Sequence, residues 1–485
     1  MFVINKFKSV GTTLYNHKKK TIVGAYLLYL GGDYCNDLIR DAKIRNYYAK
    51  EAVKYGEVPC NGTKPRRLTV LVNKMANERK VYDKFKTNVL PLFNLAGIKV
   101  TIIHTKDADE MEAVASALDY EEADCLYVVG GDGTLSRVLT GIYKNKDGPL
   151  FPIGHFPGGN DNKGLLSLRG NVFKSHDDVR LYCESGMAVI EETVAPVFPI
   201  KCEISIPVKN EPTTDDNEQK EDKENEQKFE VKTLYSISGV NGGWFPMVEE
   251  HKQKLWYFFG IKRYFTYLWD GLKRFPGEIE VNVTHTKFCP GCKRCLQDVV
   301  LAKIEKKKFE REQNNHTVSW WRNLFGSGRK LGEKNHNSPK SIPKEPLAVN
   351  EECGIPADEC IVSSGIDLIV ENEIGSKGNG LNFLIGGSGY NRFEAIKDGW
   401  NRTSSGDDCF KSVDEKFYNE KASFKANTLE MTLTKMPNKW TQIWVAGEKI
   451  DLTEDFKNAL VKIEATKQKF DMYLPKNIRL NLSQL

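Results

Sequence analysis

Val128-Val129-Gly130-Gly131-Asp132-Gly133-Thr134-Leu135 decides the fold. The stretch starts inside an apolar run, Cys125-Leu126-Tyr127-Val128-Val129, and ends in Leu135, Val138, Leu139 and Ile142 at i, i+3, i+4, i+7. A continuous apolar run of that length reads as a strand buried on both faces, and the second spacing reads as a helix with one apolar stripe. The glycine turn therefore sits where a strand ends and a helix begins. In an open α/β sheet, ligands bind outside the carboxyl ends of the strands. Gly130, Gly131 and Gly133 let a backbone approach a phosphate closely, while Thr134 and the turn before it open a helix with free N–H groups and a positive dipole end. Asp132 is a carboxylate placed to accept a proton from an attacking hydroxyl or to help hold Mg²⁺. The plain alternative is a tight Gly-Asp-Gly turn with no chemistry.

Working outward, Leu68–Asn73 is a second apolar run, followed by helical spacing at Val81, Phe85, Val89, Leu92 and Phe93 up to Gly97. A strand over Ile98–Thr105, a helix over 108–118 and a strand over Phe151–Phe156 complete the set. Strands alternating with helices at this interval predict a parallel α/β sheet. A second glycine turn, Phe156-Pro157-Gly158-Gly159-Asn160-Asp161-Asn162-Lys163-Gly164, follows the last of these strands. It is expected beside the first at the same sheet edge, with its amides, Asn160 and Asn162 available to nucleotide phosphate or ribose. Alone it is ordinary turn chemistry; about 25 residues from the first turn, it reinforces it.

From residue 194 the pattern changes. Strand-like runs at 198–206, 229–240, 278–286, 361–370, 379–387, 428–435, 440–447 and 467–474 are separated by turns, which predicts a mostly antiparallel β domain over 194–485 after an α/β domain over 61–193. Two inserts interrupt it. Residues 209–228 hold no large apolar side chain and 303–347 are rich in Lys, Asn, Gly and Pro, with one apolar island at Val318–Phe325. Segments that cannot bury enough apolar surface are expected to stay solvated.

The net charge of +5 and the 28% of charged residues describe an ordinary globular chain, with no dense basic stripe of the kind nucleic-acid binding needs. Residues 1–60 are expected to be a targeting or membrane-associated segment. The first 32 residues contain no Asp or Glu but include Lys6, Lys8, Lys18, Lys19 and Lys20, then the apolar run Thr21–Leu30. That run is about half the roughly 20 residues a bilayer span needs. The composition fits mitochondrial targeting with a shallow interfacial anchor; a helix packed on the body of the protein is the competing reading. Eleven cysteines are too few for a disulfide scaffold in 485 residues. Cys289-Pro-Gly-Cys292-Lys-Arg-Cys295 stands apart, and with Cys353 and Cys360 its spacing suits either a structural Zn²⁺ site or disulfides.

The two glycine turns together with the strand ending in Asn73 resemble the diacylglycerol kinase catalytic domain of the diacylglycerol kinase/sphingosine kinase superfamily. The resemblance covers roughly 66–200 and extends more weakly to the C-terminus. Within the superfamily the chain is most similar to the mitochondrial acylglycerol kinases, through its lysine-rich start, Ile153-Gly-His-Phe-Pro157 and the aromatic stretch after Trp244. The resemblance implies an α/β nucleotide domain followed by an antiparallel β-sandwich domain, with the active site in the cleft between them. It also implies transfer of the ATP γ-phosphoryl group to a lipid hydroxyl with Mg²⁺, and Asp132 as catalytic base. Carried over residue by residue, Asn73, Gly130, Gly131, Gly133, Thr134, Pro157, Gly159, Asn160, Asn162 and Glu448 become the nucleotide set. Three departures stand out. Asn73–Lys80 lacks the family's Pro and Gly, Asn160 and Asp161 replace Thr and Gly of the second loop, and the family's Asp-Gly-Glu is Ala446-Gly447-Glu448.

For the lipid, Gly239–Phe245 and the aromatics Trp256, Tyr257, Phe258, Phe259, Tyr264, Phe265, Tyr267 and Trp269, interleaved with Lys252, Lys254, Lys262 and Arg263, have the composition of a membrane-interface helix or an acyl pocket; a core helix is the competing reading. Gly242, Trp244 and Glu249 are the lipid-binding candidates. Sphingosine kinases resemble this region but carry acidic residues for the lipid amine, where this chain has Met247 and Glu249. The expected activity is conversion of monoacylglycerol and diacylglycerol to lysophosphatidic and phosphatidic acid at the mitochondrial inner membrane, facing the intermembrane space. The expected partners are the lipid membrane and an inner-membrane protein complex. A sphingosine or ceramide kinase, an NAD kinase, which shares a GGDG turn, and a non-catalytic membrane subunit that retains the kinase fold are the alternatives.

Overall fold

The computed structural model describes residues 18–56, 66–76, 80–119, 123–145, 150–159, 162–169, 178–207, 229–255, 262–275, 279–289, 292, 294, 350–363, 365, 367–375, 378–386, 390–404, 418, 422–435, 442–451 and 460–481. The chain forms two compact units, 1–197 with 470–485, and 198–469.

The first unit opens with α1 (Lys18–Gly56), 39 residues long. No helix among the described residues is long and apolar enough to cross a membrane. Tyr26, Leu28 and Tyr29, within the apolar run, are exposed, whereas Ile44, Tyr48 and Ala52 are buried in the core of the unit. The expected targeting segment and the globular unit thus share one helix, because its second half has an apolar stripe at i, i+4, i+8 that packs on the body. Then follow β1 (Arg67–Asn73), α2 (Val81–Asn88), α3 (Leu90–Leu95), β2 (Lys99–Thr105), α4 (Ala108–Ala117), β3 (Cys125–Gly130), α5 (Asp132–Lys144), β4 (Ile153–Pro157), α6 (Lys163–Leu168), α7 (Val179–Ile190) and β5 (Val194–Val197). The single helix expected over 80–96 is two, since Pro91 opens α3 and has no N–H with which to continue α2.

The sheet runs β2-β1-β3-β4-β17-β5, where β17 is Phe470–Tyr473. Neighbours from β2 to β4 are parallel, β17 is parallel to β4, and β5 runs antiparallel to β17. The expected strand over 467–474 therefore belongs here and not to the β domain, and the unit boundary falls after 197. This pairing joins segments nearly 280 positions apart in sequence, with nothing in the local pattern to announce it. β1, β3 and β4 are buried along their length, as their apolar runs require. Phe85, Phe93, Tyr127, Phe156 and Tyr182 form the aromatic centre of the core, with ring centroids 4.8–6.4 Å apart.

The second unit is an antiparallel β assembly, β6 (Ile200–Pro207) to β16 (Leu460–Ala465), with α8 (Trp244–Lys254), α9 (Lys262–Lys273) and α10 (Arg392–Ser404). Among the described residues, eleven strands join in one hydrogen-bonded network. β13 (Phe424–Lys435) is the hinge of that network. Its first residues pair with β12 (Gly378–Gly386), the next with β16, and its other edge carries β9 (Ile279–Lys287). Alternating burial along β9 and β16 aims every second side chain at one apolar core. The single strand expected over 361–370 is interrupted. β10 (Pro356–Ser363) and β11 (Asp367–Gly375) flank Gly365, whose φ of 66° only glycine adopts cheaply. The inserts 209–228 and 303–347 lie outside the described residues.

Candidate active site

The GGDGT turn lies where its reading places it, between the carboxyl end of β3 and the first turn of α5. Gly130 is in register with Pro157 at the carboxyl end of β4, so the two glycine turns leave the sheet side by side. They touch. A Cβ on Gly159 would stand 2.3 Å from Gly131 Cα and 2.6 Å from Gly131 N, so the second turn lies flat on the first and only glycine fits there. Gly130 is equally confined, since its Cβ would meet Thr134 Oγ1 at 2.4 Å.

Asp132 is 1% exposed. Its Oδ2 accepts the Gly164 backbone N–H at 2.9 Å. Asp132 therefore has a structural duty beside any chemical one: it ties the first turn to the opening of α6. Its place in the first turn of α5 also sets its charge against the positive end of the helix. Asn73 closes the other side. Its Nδ2 donates to Thr134 Oγ1 at 3.1 Å and its Oδ1 accepts Met75 N–H at 2.9 Å. Asn162 folds the second turn on itself, donating through Nδ2 to Pro157 O at 3.3 Å and to Gly159 O at 3.0 Å. Its Oδ1 is buried without a hydrogen-bond partner among the described residues. Asn160 lies outside the described residues.

His155 was passed over as part of a motif. It is 2% exposed beneath the turns, and its Nε2 lies 3.2 Å from Gly130 O. A carbonyl only accepts, so Nε2 carries the proton. Desolvation pushes the imidazole pKa down to about 4, against the weaker pull of the Gly130 carbonyl, and the ring is neutral at pH 7. β4 is buried along its length, so the position of His155 inside the apolar run Phe151–Phe156 was the one signal for it.

The remaining candidates belong to the second unit. Glu448 begins β15 (Glu448–Asp451) and accepts Lys232 Nζ at 2.7 Å. Ala446 and Gly447 before it both have positive φ, 55° and 78°, and make the tight turn between β14 (Gln442–Val445) and β15. Gly242 ends β8 (Val240–Gly242) and Trp244 opens α8. Trp244 is 2% exposed and packs with Phe245, Tyr267 and Ile396, which makes it a core residue rather than an exposed lipid contact. Glu249 accepts the Tyr267 hydroxyl at 2.7 Å through Oε1 and pairs with Lys252 through Oε2. α9 is two-faced: Thr266, Tyr267 and Asp270 are buried, while Tyr264, Leu268, Trp269 and Leu272 are exposed with Lys273 lying 3.9 Å over the Trp269 ring. Trp256–Phe259 lie outside the described residues. A buried charge cluster was missed. Arg402 of α10 donates to Asp398 at 2.9 Å and to Asp367 at 3.1 Å, with its guanidinium 3.8 Å from the Phe245 ring. The i, i+4 spacing of Asp398 and Arg402 was its visible trace.

Cys289, Cys292 and Cys353 bring their sulfurs within 4.8 Å of one another. Cys295 lies outside the described residues. Cys360 does not join them; it is on β10, with its thiol 3.4 Å from Glu280.

Residues 67–190 match the diacylglycerol kinase catalytic domain. Over 481 residues, 99% of both chains, the sequence is 35% identical to "Uncharacterized protein F52C9.3" of Caenorhabditis elegans. The chain belongs to the family of that nematode protein. With "Acylglycerol kinase, mitochondrial" of Homo sapiens it shares 28% identity over 282 residues, 56% of this chain and 59% of that one. The match thus spans less than two thirds of the acylglycerol kinase. A crystal structure of a diacylglycerol kinase from Bacillus anthracis str. Sterne aligns over 86% of this chain and 99% of its own, with 13% identity and a TM-score of 0.40. The catalytic-domain match and the similarity to the acylglycerol kinase support the lipid kinase superfamily of diacylglycerol and sphingosine kinases for this chain.

Proposed function

We propose that this protein is an ATP-dependent acylglycerol kinase, converting monoacylglycerol and diacylglycerol to lysophosphatidic and phosphatidic acid. The observation that carries the reading is the pair of glycine turns packed backbone to backbone at the carboxyl ends of β3 and β4, inside the stretch that matches a diacylglycerol kinase catalytic domain. The N-terminal end of α5 fits a phosphate: Gly131, Asp132, Gly133 and Thr134 belong to a first turn whose N–H groups have no intrahelical acceptors. Asn73, Pro157, Gly159, Asn160, Asn162 and Glu448 complete the proposed nucleotide set. Asp132 suits both proton acceptance and a hard cation, because it offers carboxylate oxygens and the Gly164 N–H orients them. Bound Mg²⁺ would neutralise charge developing on the transferred phosphoryl group. The lipid oxygen attacks the γ-phosphorus, its proton passes to Asp132, and ADP leaves.

Glu249 supports a neutral glycerolipid over a sphingoid base. Its carboxylate is already shared by Tyr267 and Lys252, so an ammonium group brought beside it displaces existing partners or stays unpaired, at a cost of several kcal/mol. Gly242 and Trp244 shape the start of α8 near it. The exposed apolar face of α9, flanked by Lys273, and Tyr26, Leu28 and Tyr29 of α1 support contact with a membrane. The lysine-containing, acid-free start and the similarity to a mitochondrial acylglycerol kinase support a mitochondrial location, which we extend as a proposal to the intermembrane-space side of the inner membrane and a protein complex there. A non-catalytic subunit is favoured by one observation: Asp132, Asn162 and Asn73 all have structural hydrogen bonds. Assaying the purified full chain with ATP and a lipid panel decides between them. Phosphorylation of monoacylglycerol and diacylglycerol, with sphingosine slower, is expected. Turnover no greater than that of folded Asp132→Asn on every lipid establishes the non-catalytic reading.

A further inference from the structure

We infer that Cys289, Cys292 and Cys353 form a structural Zn²⁺ site that fastens the two stems of the long insert to the base of the β9–β10 hairpin. The remaining buried thiols show what ordinary cysteines do in this protein. Cys125, Cys183 and Cys202 are dispersed and packed singly in apolar cores, and burial raises the pKa of each. The three at the hairpin base instead converge from distant parts of the chain. Cys289 lies two residues past the end of β9, and Cys353 three residues before the start of β10, whose first residue Pro356 pairs with Thr286. Cys292 is 3% and Cys353 6% exposed, and the three sulfurs lie within 4.8 Å of one another. Thiolates on one tetrahedral zinc stand about 3.8 Å apart, given Zn–S bonds of about 2.3 Å, so a small adjustment closes the site.

The sequence at the first stem and the backbone at the second have the turn chemistry of such a site. Pro290 and Gly291 separate the first two cysteines in sequence. On the opposite stem, Cys353 N–H donates to Asn350 O, Glu352 N–H donates to the Asn350 side chain, and Gly354 has a φ of 80°. The Lys287–Glu352 ion pair at 2.8 Å crosses between the stems. Zinc satisfies all three sulfurs as thiolates and closes a loop of about 60 residues, whose ends are otherwise costly to hold together.

Zinc content of the full chain, purified without added metal or chelator, tests the site. About one zinc per chain is expected. Treating the native protein with a zinc chelator should then open Cys289, Cys292 and Cys353 to alkylation, read by mass spectrometry on wild-type protein so that no variant need fold. Cys353→Ser should lose most of the metal, and Cys360→Ser should keep it. Zinc-free protein carrying a disulfide among the three, or full zinc retention in folded Cys353→Ser, overturns the inference. Lipid turnover does not enter the readout, so failure here is separate from failure of the kinase reading.

Discussion

Asp132 Oδ2 and Gly164 N–H, 2.9 Å apart, join the two glycine turns through a carboxylate that solvent does not reach. The bond gives one side chain two duties that substitution can separate. Asn at 132 keeps an oxygen for the Gly164 N–H but loses the negative charge, whereas Ala loses both. If Asp132 accepts the lipid proton, Asp132→Asn lowers kcat at least 100-fold with a small change in Tm. Asp132→Ala should be equally inactive and also less stable by about 1–3 kcal/mol, because a buried donor loses its acceptor. Near-normal turnover in Asp132→Asn removes Asp132 from the chemistry and leaves it as a clamp.

Gly159→Ala tests the contact between the turns. The added methyl would lie 2.3 Å from Gly131 Cα, and backbone cannot swing away as a side chain does. The turns must part, with a cost of about 1–3 kcal/mol and a raised KM for ATP. An unchanged melting temperature together with an unchanged KM would show that the turns do not pack in solution.

The parallel sheet was legible because strands buried on both faces, such as Val70–Val72 and Leu126–Val129, read as uninterrupted apolar runs. The glycine turns were legible because few residues other than glycine permit such close backbone approach. What escaped was set by distance along the chain. β17 joins this sheet from residue 470, and no local period records the partner of a short strand. The burial of Asp132 escaped for a related reason: its hydrogen-bond partner is a backbone N–H, which every sequence position but proline offers. Cys360 was grouped with the thiol cluster by spacing alone, yet strand β10 holds it at Asn282, part-way along the hairpin, while Cys353 lies in the turn at the hairpin base.

His155 should make the first unit acid-sensitive. An unfolded histidine takes up a proton below about 6.5, but burial delays this in the folded chain until about 4. Between those values the unfolded state binds more protons, so stability falls as pH falls. The window corresponds to roughly 3 kcal/mol at its full extent. Thermal unfolding of wild-type protein at pH 7, 6, 5 and 4.5 should show a progressive loss that His155→Asn flattens. A pH dependence identical in the variant assigns the acid sensitivity to other groups.

The exposed face of α9 yields the last prediction. Leu268, Trp269 and Leu272 are 39%, 46% and 48% exposed, on the side of the helix away from buried Tyr267 and Asp270. Replacing Leu268 and Leu272 with Ser removes apolar surface that the folded protein itself uses only in part, so stability should change by less than about 1 kcal/mol. At a bilayer surface the same two side chains would bury their remaining apolar area, worth together about 1–3 kcal/mol, or roughly a 10- to 100-fold change in partition. Sedimentation with vesicles of phosphatidylcholine and an anionic lipid measures this directly. The Leu268→Ser/Leu272→Ser protein should stay folded, bind those vesicles more weakly, and lose turnover on vesicle-borne diacylglycerol more than on a short-chain soluble analogue. Equal vesicle binding by the variant and the wild type would assign the α9 face no membrane role.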